Sequence, residues 1–153
     1  MEEINRIDDQ LRRAFEGHAW HGPSMREVVA DVTAERAAAR PLSGAHSIWE
    51  IVLHVTAWQV GVRRRVEGER LELSPHEDWP PVTDTGEAAW RQALAALEQT
   101  HMELRSTASR LADSRLQEKV TGQDHSVYMT LHGLIQHNLY HAGQIALLKK
   151  ASS

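Results

Sequence analysis

The sequence predicts an all-α protein, a four-helix bundle with long crossover connections. Apolar residues recur at helical spacing in four long segments, and Ser or Thr residues in capping patterns precede several predicted helices. We find no convincing segment in which apolar and polar residues alternate as in a strand. The 153 residues predict one domain, residues 1–153, which is long enough to bury a core without cross-links.

Each long helix is predicted from an apolar face. The first has Ile4, Ile7, Leu11 and Phe15. The second begins at Ser47, ends around Gly68 and has Ile48, Ile51, Val55, Trp58 and Val62. The third has a heptad-like series of Trp90, Leu94, Leu97, His101, Leu104, Ala108 and Leu111. The fourth runs from about Val127 to Lys150, where Lys149 and Lys150 suit the negative end of a helix.

Capping patterns predict where helices begin. After a break over residues 18–23, two short helices are predicted before Pro41, one from a Ser-x-x-Glu box and one from a Thr cap. The predicted caps are Ser24 with Glu27, Thr33, Ser47 with Glu50, Asp84 with Glu87, and Ser126. Residues 68–83 hold three prolines and are predicted to be a loop, and residues 112–126 a polar connection.

Composition narrows the function classes. The net charge is −4, so the chain lacks the basic bias that attracts nucleic acid, and we expect no nucleic-acid partner. It contains no cysteine, which removes disulfides and a cysteine nucleophile and fits a reducing compartment. The polar N-terminus is not followed by a signal-peptide core or an apolar membrane-spanning run. We therefore expect a cytoplasmic protein that does not bind membranes.

His137 and His141 are the most informative pair of residues. Four residues apart on a helix, they lie on one face, where two neutral imidazoles can share a divalent metal. Because the chain has ten histidines, one such pair is expected by chance about as often as not, so a partner is required. Both project with the apolar face that includes Leu134 and Ile145.

His54 is the candidate third ligand, because it flanks the apolar face of the second long helix between Ile51 and Trp58. Three neutral nitrogens with one further position is the pattern of a catalytic zinc site. The alternative is that these histidines are hydrogen-bonded core residues without a metal. A di-iron site is rejected, since it needs two Glu-x-x-His motifs and Glu98-x-x-His101 is the only match. Packing is the favoured role of His101, over a fourth ligand or a substrate contact, and His132 projects to a different side.

Other polar residues are weaker candidates. Gln144 either hydrogen-bonds a ligand histidine or the bound nucleophile, or makes a surface contact. Tyr140 either donates a proton in the cavity or packs, and packing is favoured. Arg63, Arg64 and Arg65 either clamp carboxylates of an anionic thiol or substrate, or form a solvated helix end. Trp20, His21 and Trp79 lie in long connections that could roof the site or line a dimer interface.

Two segments together resemble the DinB-like superfamily, which includes YfiT-type metalloenzymes. They are Ala45-His46-Ser47-Ile48-Trp49-Glu50-Ile51-Val52-Leu53-His54 and His137-x-x-Tyr140-His141-x-Gly143-Gln144-Ile145. The resemblance covers essentially the whole chain. It implies an up-down-down-up four-helix bundle, a Zn or Ni ion held by His54, His137 and His141, and a homodimer.

The resemblance implies several activities. Characterised relatives include isomerases and S-transferases that use a small thiol such as mycothiol or bacillithiol, and others are called metal-dependent hydrolases. We therefore expect a mononuclear metal enzyme acting on a small-molecule electrophile with a thiol cofactor. The alternatives are a metal-dependent hydrolase and a non-catalytic helical domain that binds a small ligand. In either enzyme, the metal would turn a thiol or a water into a nucleophile at neutral pH.

Overall fold

The computed structural model describes residues 2–152, and within that range the chain forms seven α-helices and one short 3-10 helix, with no strand. The prediction of an all-α protein is therefore confirmed. In chain order the helices are α1 (Glu3–Glu16), α2 (Met25–Val29), α3 (Ala34–Ala38), α4 (Ile48–Val66), α5 (Pro75–Asp78), α6 (Glu87–Ala108), the 3-10 helix (Asp113–Gln117) and α7 (Val127–Ala151).

Four of the five predicted caps are present. Ser24 and Ser47 each form a reciprocal capping box with the glutamate three residues later, at the starts of α2 and α4. The hydroxyls of Thr33 and Ser126 accept backbone N–H groups at the starts of α3 and α7. These side chains satisfy amide groups that a helix start leaves without an intrahelical partner.

The predicted cap of α6 is wrong. Its N-cap is Gly86, which has no side chain to accept a hydrogen bond, and the Asp84 carboxylate instead accepts the N–H of Gly86 at 2.8 Å. The Glu87 carboxylate accepts the N–H of Ala34 at 3.0 Å. Glu87 therefore accepts a backbone N–H group at the start of α3, and this tertiary contact replaces the local capping box.

The predicted loop over residues 68–83 contains a helix. In α5, Ser74 and Glu77 form a third capping box, and Pro75 occupies the first turn, where its missing N–H costs nothing. The predicted connection over residues 112–126 likewise contains the 3-10 helix and one isolated antiparallel bridge between Lys119 and Ser126.

Contacts between the long helices define their relative directions. Along α4 and α6, Trp49 packs on Trp90 near both starts, and Gln59 meets Thr100 farther along. These two helices are therefore parallel. In contrast, α7 is antiparallel to α4, because His54 lies beside His141 whereas Val62 and Leu134 line one groove.

The first helix is antiparallel to α6. Near the end of α1, Phe15 stacks on His101 with ring centroids 3.9 Å apart, whereas Asp8, about two turns earlier on α1, pairs with Arg105, one turn later on α6, at 2.8 Å. The Arg105 guanidinium also pairs with Glu16 at 2.6 Å, and the two carboxylates raise the pKa of Arg105 above its ordinary value. The charged arginine therefore links α6 to two points on α1.

The buried apolar residues form two clusters, and the candidate site lies where they meet. One cluster takes Ile51, Val52 and Val55 from α4, and the other takes Val62 and Val66. On α7 the same division falls between residues 135 and 142. Among the described residues, no helix combines the length and apolarity that crossing a bilayer requires.

Candidate metal centre

His54 presents one ring nitrogen toward α7. It lies on α4 with only 6% of its surface exposed, and its Nδ1–H donates to the backbone carbonyl of Asp78 at 2.7 Å. The Asp78 carboxylate lies 3.1 Å from the same nitrogen. Because Nδ1 carries the proton, Nε2 of His54 presents a lone pair.

The two α7 histidines lie opposite that lone pair. Nε2 of His137 is 3.0 Å from Nε2 of His54, and the ring centroids of His137 and His141 are 4.4 Å apart. The Nδ1–H of His141 donates to Gln144 Oε1 at 2.7 Å, which leaves its Nε2 as the lone-pair nitrogen. One ligand atom from each of His54, His137 and His141 lies within 4.8 Å of the others.

All three rings are held neutral. Burial is the main cause in each case, and it lowers the pKa of His137 to about 3, with further lowering from His141 and His54. Burial also lowers the pKa of His54 and of His141, although hydrogen bonds to Asp78 and Gln144 partly oppose this. Neutral imidazole is the form that binds metals, so the three histidines could hold a divalent ion.

Residues around α5 cover the site. The Trp79 ring stacks on His54 at 3.8 Å and on His46 at 3.7 Å, with interplanar angles of 4° and 8°. The Trp58 indole N–H donates to the Asp78 carboxylate at 2.7 Å. Asp78 therefore contacts His54 through its backbone and Trp58 through its side chain, and Trp79 shields one face of His54 from water.

Sequence analysis missed Asp78 and His46 and left the role of Trp79 open. A signal for α5 was present, because Ser74 and Glu77 repeat the capping pattern that predicted other helices. The hydrogen bond to His54 has no such signal, since its acceptor is a backbone carbonyl, which every residue has.

The remaining histidine and tyrosine candidates lie in different environments. His101 is fully buried away from the three histidines, and its Nε2 lies 3.1 Å from the Glu16 carboxylate, in line with a packing role. His132 lies beside Tyr128. Tyr140 is 66% exposed, and its ring lies 5.1 Å from that of His141, so its contact with this histidine is made at the surface of α7.

The three arginines separate into two groups. Arg63 lies 3.7 Å from the carboxylates of Glu67 and Glu103, and Arg64 pairs with Glu69 at 2.7 Å. Arg65 instead donates to the backbone carbonyl of Leu71 at 2.9 Å and lies over the Trp58 ring at 5.2 Å. Arg63 and Arg64 are therefore engaged by carboxylates of the chain itself, and Arg65 remains a candidate for binding an anion.

Fold and site together define an all-helical protein with a candidate three-histidine metal centre between two long helices. A family model described as the DinB superfamily matches residues 18–145, a segment that includes His54, His137 and His141. The chain therefore belongs to the DinB superfamily, as the resemblance in its sequence indicated. Comparison with curated proteins and with solved structures gave no significant match.

Proposed function

We propose that this protein is a mononuclear metal-dependent enzyme in which His54, His137 and His141 hold Zn or Ni. We further propose that it transfers a small thiol to a small electrophile. One observation carries the metal-binding part of the proposal: the Nδ1 atoms of His54 and His141 are both hydrogen-bonded to oxygen, so each ring keeps its Nε2 for an ion. This tautomer is the one that metal-ligating histidines adopt when the other nitrogen donates.

Three neutral histidine ligands are typical of a catalytic metal site and not of a closed structural one. When bound, the metal supplies a Lewis acid that lowers the pKa of a thiol or a water in its remaining position. Three neutral ligands leave the positive charge of the ion uncompensated. Because the chain contains no cysteine, a thiol nucleophile must come from a second molecule.

The chain's own residues orient the ligands and exclude water. The Asp78 carbonyl fixes the ring of His54, and Gln144 fixes the ring of His141. Trp79 covers His54, which keeps one side of the centre dry and strengthens electrostatic interactions there.

The proposed fold is the up-down-down-up four-helix bundle formed by α1, α4, α6 and α7. It is supported by α4 being parallel to α6, whereas α1 and α7 are each antiparallel to a helix of that pair. In this arrangement α4 and α7 are neighbours, so a ligand from each half of the chain reaches one ion.

We also propose a homodimer formed through α7. One face of α7 is exposed or partly exposed, and its residues recur with heptad spacing. They are Met129, Gly133, Gln136, Tyr140, Gly143 and Leu147. The pattern is the same in both directions about position 138, so two antiparallel copies would place Met129 against Leu147 and Gly133 against Gly143. A two-fold interface requires this self-complementarity.

The test combines metal analysis with an activity panel. Purified protein is expected to bind about one metal ion, and His54→Ala and His141→Ala are expected to lose it. His132→Ala changes a histidine outside the centre, on the helix that holds His141, and is expected to retain the metal.

A panel of thiols with electrophiles is then run beside ester and amide substrates. Thiol-dependent product that disappears in both variants supports the transferase. Product without a thiol indicates the hydrolase, and ligand-induced stabilisation without product indicates a binding module.

A further inference from the structure

A groove of about 280 Å³ lies beside His137, between α4 and α7. His137 lines it together with apolar side chains from both helices, namely Trp58, Val62, Met129 and Leu134. The groove therefore adjoins the candidate metal centre and presents apolar walls to anything that approaches His137 from this side.

Arg65 also lines the groove, and none of its other lining residues is a lysine, arginine, aspartate or glutamate. Its guanidinium donates through Nε and Nη2 to the Leu71 carbonyl and lies over the Trp58 ring. Among the described residues it makes no ion pair with a carboxylate, unlike Arg63 and Arg64. A guanidinium against an apolar wall, without a carboxylate partner, is suited to bind a carboxylate from outside.

We propose that this groove binds the electrophilic substrate and that the substrate is an aromatic carboxylate. Its carboxylate pairs with Arg65, its ring lies against Trp58 and Leu134, and its reactive end lies at His137. The proposal depends on the proposed function, because only a metal at the three histidines makes the His137 end reactive.

The Trp58 ring lies between the two ends of the groove and sets the size of the substrate. Its centroid is 6.2 Å from that of the His137 ring and 5.2 Å from the guanidinium carbon of Arg65. A ligand that spans the groove therefore needs a ring and a short chain between its reactive end and its carboxylate. The apolar walls favour a substrate of this kind over a polar thiol as the source of the carboxylate.

Calorimetric titration with a matched ligand set tests this directly. The ligands are 4-phenylbutyrate, its neutral amide 4-phenylbutyramide, ring-free butyrate, and N-acetylcysteine as a carboxylated thiol without a ring. We expect 4-phenylbutyrate to bind at least tenfold more tightly than its amide and than butyrate, since a hydrogen bond to a charged group and apolar burial both contribute. N-acetylcysteine, whose thiol can bind at the proposed metal, is expected to bind independently of Arg65.

Two arginine variants separate the proposed contact from general charge. Arg65→Gln is expected to weaken 4-phenylbutyrate binding about 10- to 100-fold and to leave the amide unchanged. Arg64→Gln removes the same charge one residue away, from an arginine paired with Glu69, and is expected to bind like wild type. Equal loss in the two variants would overturn the contact with Arg65.

Two glycine variants test the groove without touching Arg65. A side-chain methyl group at Gly133, which lines the groove, or at Gly143, which does not, would meet no heavy atom within 4 Å apart from the chain neighbours and nearby backbone of its own helix. Gly133→Leu should abolish 4-phenylbutyrate binding, whereas Gly143→Leu should retain it, and any change in Tm should be similar in the two variants. Because positions 133 and 143 face each other in the proposed dimer, both changes affect that interface alike, and only the groove distinguishes them.

Failure of this inference is distinguishable from failure of the metal proposal. Protein that binds a metal at the three histidines but binds 4-phenylbutyrate no better than the amide overturns the groove assignment alone. Binding of N-acetylcysteine that requires Arg65, without binding of 4-phenylbutyrate, overturns the aromatic substrate. Tight 4-phenylbutyrate binding that requires Arg65, in protein without metal affinity, supports the groove and overturns the proposed enzyme.

Discussion

At the scale of single residues, the position of one proton decides what each histidine can do. His54 and His141 hold that proton on Nδ1 because an oxygen acceptor lies 2.7 Å away. His137 has no such support, since its Nδ1 is buried without a hydrogen-bond partner among the described residues. Two of the three rings are therefore fixed by neighbours, and His137 is positioned by its packing against them.

Sequence analysis could bring these three residues together as candidates because helical spacing is periodic. His137 and His141 share a face by their separation alone, and His54 flanks an apolar face. It left Gln144 open between two roles, and the structure shows the contact with His141. It favoured packing as the role of Tyr140, because tyrosine side chains are usually buried in part. In the structure this side chain lies on the exposed face of α7.

Replacing Gln144 should weaken metal binding without unfolding the protein. Gln144→Ala removes the acceptor that orients His141, and loss of such a contact typically costs about 10- to 100-fold in metal affinity. A competitive titration against a chromophoric chelator measures the change. Gln136→Ala, an exposed glutamine on the same helix, is the control and is expected to keep wild-type affinity. Equal affinities in the two variants would contradict the role of Gln144.

Stability should depend on pH through the buried histidines. Burial lowers the pKa of His54, His137, His141 and His101 below the ordinary value of 6.5. Below pH 6.5 the unfolded chain therefore binds more protons than the folded chain, and the free energy of unfolding decreases as pH falls toward the folded pKa, about 3 for His137. The full contribution of these neutral rings is present above pH 6.5.

Urea unfolding with a chelator present, at pH 7 and pH 5, measures this effect. Carboxylates with lowered pKa titrate below this interval, so the histidines dominate it. His137→Gln should flatten the curve by up to about 1.4 kcal/mol per pH unit, the value for one proton. Parallel curves for wild type and variant would show that His137 is not held neutral by the fold.

At the scale of elements, α5 connects a surface loop to the candidate centre. Its four residues include Asp78, and Trp79 follows directly, so a short helix positions both groups that contact His54. Three prolines in residues 68–83 favoured a loop and hid the Ser74 capping box. The starts of α2, α3, α4 and α7 were predictable because their caps are local, whereas Glu87 is taken by a contact with Ala34, 53 residues away.

Removing the cap of α5 should affect the centre more than the fold. Ser74→Ala removes a capping interaction of about 1 kcal/mol and allows Asp78 and Trp79 to move. Metal affinity should fall by up to about fivefold, the equivalent of that energy. Thr33→Ala removes a similar cap from α3 and serves as the control, with unchanged metal affinity expected. A larger loss in Thr33→Ala would mean that metal binding follows general stability instead.

At the scale of the whole molecule, the α4–α7 pair combines three features. The candidate centre, the groove beside His137 and the exposed α7 face lie next to one another. Met129 and Gly133 belong to both the groove and the exposed face. Directions of helices follow from nonlocal contacts such as Trp49 with Trp90, so amphipathic patterns alone could not determine them. From the sequence, only the family resemblance supplied a topology.

The exposed α7 face should determine the oligomeric state. Tyr140→Glu places a charge at the centre of the proposed two-fold interface and is expected to convert a dimer to a monomer. Light scattering coupled to size-exclusion chromatography gives the mass directly. Met102→Glu changes another exposed large apolar residue, on α6, and should leave the dimer intact. A monomeric wild type, or a dimer that persists in Tyr140→Glu, would contradict this interface.

An anomalous-scattering measurement on crystals grown with Zn or Ni tests the central claim most directly. The account predicts a single strong peak at the metal absorption edge, about 2.0–2.1 Å from Nε2 of His54, His137 and His141 together. The same crystals of His54→Ala should lose the peak. A peak elsewhere, or one that persists in His54→Ala, would contradict a shared three-histidine centre.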